Sequence, residues 1–214
     1  IDIGDNAFDG CNDIANISFP RTLIHIGFNS FNESKWFNSQ PEGIIYAGPV
    51  AYKYKGTVSP DSEIVIKDGT RIISDSLFMD CSGLKTIIFP NSVISIGHHA
   101  FYHCNNLMSV TLPQSLEEIG NYAFDGCSNI YKVICNALIC PVLKFNVFDN
   151  TIIHNTYLFV PASSLMDYRS DESWKDFGKI VSTDTKEELE IRIPEGGFST
   201  FYYSGFADYI LPNG

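Results

Sequence analysis

The chain has 214 residues, of which 44% are hydrophobic and 18% are charged. This composition excludes a chain that is disordered throughout, and the length suits one large domain or a domain with part of another. The formal net charge of −11 argues against a nucleic-acid partner and against an anionic membrane surface. No apolar run approaches the ~18 residues of a membrane-spanning helix.

A repeat of 23 residues begins at the N-terminus, where Gly4 and Phe8 recur as Gly27 and Phe31. Many positions that share one period indicate a solenoid, in which each repeat forms one coil and stacking buries the core. The same spacing relates Ile73, Ile96 and Ile119; Phe78, Phe101 and Phe124; Cys81, Cys104 and Cys127; Leu84, Leu107 and Ile130; and Pro90 and Pro113.

Residues 32–63 interrupt the repeat, because Phe31 and Phe78 lie 47 residues apart where two repeats would give 46. Residues 43–52 predict two strands around a Gly-Pro turn. This stretch is either a hairpin that repacks one coil with aromatic residues or an insertion that contacts a ligand, since insertions in repeat arrays gather on one face. Its aromatic residues are Trp36, Phe37, Tyr46, Tyr52 and Tyr54.

The regular unit, residues 96–116, follows the pattern I-G-x-x-A-F-x-x-C-x-x-L-x-x-V-x-L-P-x-S-L. Alternation predicts a short strand with Val110 and Leu112 pointing inward and Ser109 and Thr111 pointing outward. The Ala-Phe-x-x-Cys segment predicts one turn of helix whose Ala and Phe face the core.

This pattern resembles the BspA-like leucine-rich repeat family of bacterial cell surfaces, over roughly residues 1–180. The resemblance implies a β-rich, right-handed leucine-rich-repeat solenoid of short parallel strands and short helical turns. It also implies a non-enzymatic protein that is secreted or on the cell surface, with an adhesion-type role. From the repeat we expect about five to six coils.

The array is expected to end in a cap at residues 157–180, with a strand at 157–160 and a short helix that carries Leu165 and Tyr168. Residues 181–214 predict a separate β-strand module, a hairpin with a loop at 194–197. The chain starts at Ile1 without a Met or an apolar leader and ends just after a strand-like run. We therefore expect a piece cut at both ends, without a signal peptide and with a truncated last module.

Catalytic and cofactor motifs are missing from the sequence, so we expect no enzyme activity, no cofactor and no metal. His99 and His103 have the spacing of a helical metal pair, but they occupy variable repeat positions beside His98 and indicate an incidental exposed cluster. We expect free thiols in the Cys81 column, because parallel side chains rarely present a disulfide dihedral. For Cys135 and Cys140, a disulfide is the alternative.

Two functions are compatible with this pattern. One is a module that binds a protein or a glycan; the other is a structural spacer that holds another domain off the cell surface. We expect a monomer, and any partner would use outward positions, because packing fixes the inward ones. The outward strand positions are Asn16, Ser18, Thr86, Ile88, Ser109, Thr111, Lys132 and Ile134. The predicted partner surface comprises Trp36, Tyr46, Tyr52, Tyr54, Thr86, Ser109, Thr111 and Lys132.

Overall fold

The computed structural model describes residues 1–184, 188–192, 198–203 and 208–210. Two short helices are present, α1 (Lys35–Ser39) and α2 (Leu165–Ser170), with single 3-10 turns at Ile153–Asn155 and Ala162–Ser164. The strands are β1 (Asp2–Ile3), β2 (His25–Ile26), β3 (Gly43–Ala47), β4 (Val50–Lys55), β5 (Ser62–Val65), β6 (Ile72–Ile73), β7 (Leu84–Ile88), β8 (Ser95–Ile96), β9 (Ser109–Leu112), β10 (Glu118–Ile119), β11 (Lys132–Cys135), β12 (Val142–Leu143), β13 (Tyr157–Val160), β14 (Lys179–Ser182), β15 (Glu188–Arg192), β16 (Phe198–Tyr203) and β17 (Asp208–Ile210).

Most strands belong to two six-stranded sheets that enclose the core of a solenoid. One sheet has the order β12-β10-β8-β6-β4-β3, and the other has the order β14-β13-β11-β9-β7-β5. Neighbours are parallel except for the antiparallel pair β3 and β4, and β1 pairs with β2 in a separate parallel sheet. The predicted β-rich solenoid of short parallel strands is confirmed.

Residues that lie 23 positions apart in the sequence pair with each other on neighbouring strands. Val110 pairs with Ile87 on one side and with Val133 on the other, and all three side chains are buried. Because side chains alternate along a strand, Thr111 between the inward positions is exposed. The alternation predicted from the sequence is therefore confirmed for β9.

The segment between the sheets is a series of tight turns and not the predicted turn of helix. In the coil that contains Phe101, the residues two before and two after the ring, His99 and His103, have φ values of 54° and 55°. Left-handed residues interrupt a right-handed helix, so the backbone closes through bonds of the i to i+3 type, such as Cys104 N–H to the Phe101 carbonyl at 3.1 Å.

Each turn places one aromatic ring in a central stack. The Phe101 ring lies 5.0 Å from Phe124 with an interplanar angle of 3°, and Phe124 lies 5.4 Å from Phe148. We number the coils by this ring: coil 1 has Phe8, coil 2 Phe31, coil 3 Tyr54, coil 4 Phe78, coil 5 Phe101, coil 6 Phe124 and coil 7 Phe148.

The solenoid has about eight turns, so the expected five to six was too low. Two turns lack the repeat's Phe. In coil 3, Tyr54 takes its place, 5.6 Å from Phe78, and in the last turn Trp174 and Phe177 pack on Phe148 at 6.2 and 5.3 Å.

The C-terminal end of the array carries a strand and a helix. At residues 157–180 the predicted strand and helix are present, and Tyr168 and Trp174 are fully buried against the last coil. Beyond them, β15, β16 and β17 form an antiparallel sheet, in keeping with the predicted hairpin. The predicted loop at 194–197 lies outside the described residues, and the boundary at residue 181 stays a prediction. Within the described residues, no helix is long and apolar enough to span a membrane.

Candidate functional site

The aromatic residues of the insertion are mostly core residues. Trp36 is 7% exposed and Tyr52 is 4% exposed, and the Trp36 ring lies 4.9 Å from Phe31. Tyr46 and Tyr54 are half-buried against the core. The expectation that this group faces outward is therefore wrong for Trp36 and Tyr52, because α1 and β4 turn these two rings into the core beside Phe31.

Two tyrosine hydroxyls of the insertion bind backbone. The hydroxyl of Tyr52 accepts from the amide of Phe31 at 3.2 Å, and the hydroxyl of Tyr46 accepts from the amide of Lys67 at 3.0 Å. Burial raises the pKa of Tyr52, which keeps this hydroxyl neutral. These contacts support the hairpin that repacks a coil, one of the two alternatives left open by the sequence.

The outward positions of the long strands form two rows across the sheet. Thr86 pairs with Ser109, which pairs with Lys132, and the second row continues from Ile88 to Thr111. Thr86 and Ser109 are half-buried and Thr111 is exposed. Lys132 is only 6% exposed, so its assignment to an accessible surface is a second correction.

The burial of Lys132 reflects a change along the sheet. On the same outward side, Phe159 is 2% exposed and Val181 is 6% exposed, and Tyr131, Ile134 and Tyr157 pack against them. The C-terminal half of this side is therefore an apolar cluster and not a free face. The repeat predicts which residues of this half point outward, but it does not predict which of them tertiary packing buries.

The N-terminal half of the outward side stays open on three strands. Val65 is 62% exposed and Ile88 is 42% exposed, and the salt bridge from Lys85 to Asp61, 3.4 Å long, lies beside them. We call this surface the open strand face; it comprises Glu63, Val65, Thr86, Ile88, Ser109 and Thr111. Sequence reasoning missed Val65, although its place between the core-side residues Ile64 and Ile66 is the signal that it points outward.

The histidines His98 and His99 make contacts between neighbouring coils. Nδ1 of His98 accepts from the amide of Asn121 at 2.7 Å, and the carboxylate of Asp75 accepts from the amide of His98 at the same distance. The ring of His99 stacks on Tyr122 at 5.2 Å. Among the described residues, no group of His, Cys, Asp and Glu has the arrangement of a metal site.

The cysteine column is part of the same stack. The thiols of Cys104 and Cys127 donate to the carbonyls of Phe78 and Phe101, each at 3.0 Å. The neighbouring thiol of Cys127, together with burial, raises the pKa of Cys104. Burial also raises the pKa of Cys81 to about 11. The thiols of Cys81 and Cys104 are therefore protonated near neutral pH and are poor nucleophiles.

The sequence family described as BspA type Leucine rich repeat region matches residues 1–55 and 51–168, in six copies. No curated protein is significantly similar to the chain. The residues matched include the whole open strand face.

The solved structures that are similar to the chain include three with 16–23% identity. The pneumococcal vaccine antigen PcpA has 16% identity and a TM-score of 0.50, over 85% of this chain and 58% of that one. A leucine-rich repeat protein from Bacteroides ovatus ATCC 8483 has 23% identity and a TM-score of 0.42, over 85% and 51%. A leucine rich cell surface protein from Faecalibacterium prausnitzii A2-165 has 19% identity and a TM-score of 0.40, over 94% and 46%. The chain thus spans about half the length of these proteins.

Proposed function

Because this chain belongs to the BspA-type leucine-rich repeat family, we propose that it is a non-enzymatic module of a secreted or cell-surface protein and that it binds a protein partner through the open strand face. The family places the chain among repeat proteins. The partner and the face that binds it are inferences from the surface described above.

One observation carries this proposal: two aliphatic side chains lie exposed on neighbouring strands of a parallel sheet. Val65 and Ile88 occupy neighbouring strands in one row, with Thr111 next in the same row. The other end of the same sheet buries its outward apolar residues, Phe159 and Val181. An apolar strip left open on one half of a sheet, with polar residues beside it, is typical of a protein interface.

A protein partner is favoured over a glycan by the side chains of the face. None of its six residues is aromatic, and Glu63 is its only charged residue. Sugars bind best on exposed rings flanked by hydrogen-bonding groups, whereas a flat aliphatic and hydroxyl surface suits many weak contacts with another protein. A glycan ligand is the competing outcome of the test below.

The test compares two double variants in binding screens against matrix proteins and glycan arrays. Ser109→Arg with Thr111→Arg places two large cations on the open strand face. Asn105→Arg with Gln114→Arg adds the same charge at exposed positions of the same coil, away from the strand. The proposal predicts a saturable protein ligand whose binding is lost in the first variant and kept in the second, with both folded.

The alternative function is a structural spacer. Backbone hydrogen bonds join successive coils in both long sheets, which gives a stiff rod suited to that role. The absence of any specific ligand in the screens would support the spacer and contradict the proposed binding module. A ligand that binds both variants equally would remove the open strand face from consideration.

A further inference from the structure

A ladder of backbone hydrogen bonds joins the turns of successive coils. From coil 4 to coil 5, the amide of Phe78 donates to the carbonyl of Ala100 at 2.8 Å, and the amides of Ser76 and Asp80 donate to the same coil at 2.9 and 2.8 Å. The equivalent three bonds join coil 1 to coil 2, coil 5 to coil 6 and coil 6 to coil 7. Each turn therefore presents amides to the next coil and carbonyls to the previous one.

Coil 3 breaks this ladder, because β4 runs straight through the positions where other coils turn. On the coil 2 side, the Phe31 amide binds the Tyr52 hydroxyl instead of a carbonyl. No described residue bonds to the amides of Asn29 and Glu33. On the coil 4 side, no described residue donates a hydrogen bond to the carbonyls of Asp75, Leu77 and Met79.

The missing turn leaves a notch between coils 2 and 4, a cleft of about 220 Å³. Phe28 and Asn29 line it from coil 2, and Asp75 and Met79 line it from coil 4. Lys53 of coil 3 forms its floor, with Nζ 3.1 Å from the side-chain carbonyl of Asn29. The walls carry exposed apolar surface, since Phe28 is 59% exposed and Met79 is 43% exposed.

We propose that this notch binds a short polypeptide turn of a partner protein, which supplies the missing rung of the ladder. Its carbonyls would accept from the Asn29 and Glu33 amides, and its amides would donate to the carbonyls of coil 4. Main-chain pairing of this kind supplies affinity, and the pockets beside it supply selectivity.

The notch also defines which side chains the turn carries. The core position under it is already filled by Tyr54, which packs on Phe78 at 5.6 Å, so the turn needs no large apolar residue. Left-handed backbone at two positions favours Asn and Gly. The exposed carboxylate of Asp80 lines the notch, and the chain has a net charge of −11, so lysine or arginine is favoured on the flanks of the turn.

The experiment titrates the folded chain with a disulfide-closed peptide that has an Asn-Ala-Ser-Asn-Gly centre and a lysine on each flank. Backbone amide resonances of Asn29 and Glu33 are followed by NMR. The proposal predicts saturable shifts at these amides and weaker effects elsewhere. The same peptide N-methylated at its central amides lacks the donors for coil 4, and its dissociation constant is expected to be at least about tenfold higher.

A pair of matched variants tests the location. Met79→Trp fills the notch from an exposed position and is expected to weaken binding at least about tenfold, whereas Tyr102→Trp, at the same position one coil later, leaves it unchanged. Unmoved Asn29 and Glu33 resonances would overturn the proposal, and so would equal binding by both variants or equal binding of the N-methylated peptide. Shifts at these amides that depend on protein concentration without peptide would also overturn it, in favour of self-association.

Discussion

Removing the Phe124 ring tests the aromatic stack at its centre. The side chain is fully buried, and its ring lies between Phe101 at 5.0 Å and Phe148 at 5.4 Å, nearly parallel to both. Phe124→Ala therefore removes a complete buried ring and two stacked contacts without changing the turn that carries them.

The expected loss follows from burial and from the two contacts. Truncation of a buried Phe to Ala typically costs about 3–5 kcal/mol. Each stacked pair adds about 0.5–1.5 kcal/mol beyond the buried area, which puts Phe124→Ala in the upper half of that range. Phe8→Ala is the matched control: this ring has the same repeat position but is half-buried, and among the described residues it stacks on Phe31 alone, at 5.2 Å. Its loss is expected to be less than half as large.

The assay is urea unfolding followed by tryptophan fluorescence. The chain has two tryptophans, Trp36 in the N-terminal core cluster and Trp174 in the main one. In a Trp36→Phe background, Trp174 alone reports on the part of the core that contains Phe124, and in a Trp174→Phe background, Trp36 reports on the cluster that contains Phe8. A loss below about 1 kcal/mol for Phe124→Ala would refute the reasoning, as would equal losses for Phe124→Ala and Phe8→Ala.

Three further predictions concern the backbone and the thiols. Gly120→Ala is expected to cost about 1–3 kcal/mol in urea unfolding, because the new Cβ would lie 2.6 Å from the His98 amide nitrogen, whereas Gly4→Ala, with no atom within 4 Å, should be nearly neutral. His98→Ala should cost about 0.5–1.5 kcal/mol by freeing the Asn121 amide, and His98→Asn should restore stability because asparagine can accept that bond. Burial raises the pKa of Cys140 from 9.0 to about 11. At pH 8 the fraction of Cys140 present as thiolate, and therefore its alkylation rate, should be about 100-fold below that of an ordinary cysteine, and the rate should rise up to pH 11. Equal alkylation rates for Cys140 and an ordinary cysteine would contradict this.

The regular coils could be predicted from the sequence because one period fixes both register and burial. Val110 and Thr111 alternate between core and surface as their pattern predicts, and Phe101 and Phe124 stack as their spacing predicts. The turn conformation could not be predicted in the same way. His99 and Tyr122 adopt left-handed backbone although neither is Gly or Asn, because the stack and not local preference imposes it.

The candidate site was predicted only in part. Outward direction follows from alternation, so Thr86 and Thr111 were placed correctly on the strand face. Exposure does not follow from alternation, and Lys132 is buried although its repeat position is an outward one. In coil 3 the period fails, so the sequence left the burial of Tyr52 as one of two alternatives and gave no sign of the notch.

Amide hydrogen exchange measured residue by residue tests the central claim, a ladder of turns that is intact in regular coils and broken at coil 3. The amides of Phe8, Phe78 and Phe101 donate to the next coil at 2.7–2.8 Å, and slow exchange is expected there. Asn29 and Glu33 lie on either side of the ring residue of coil 2, at the ladder positions that Ser76 and Asp80 occupy in coil 4, and fast exchange is expected for both. Protection of Asn29 and Glu33 equal to that of the three phenylalanine amides would contradict the account.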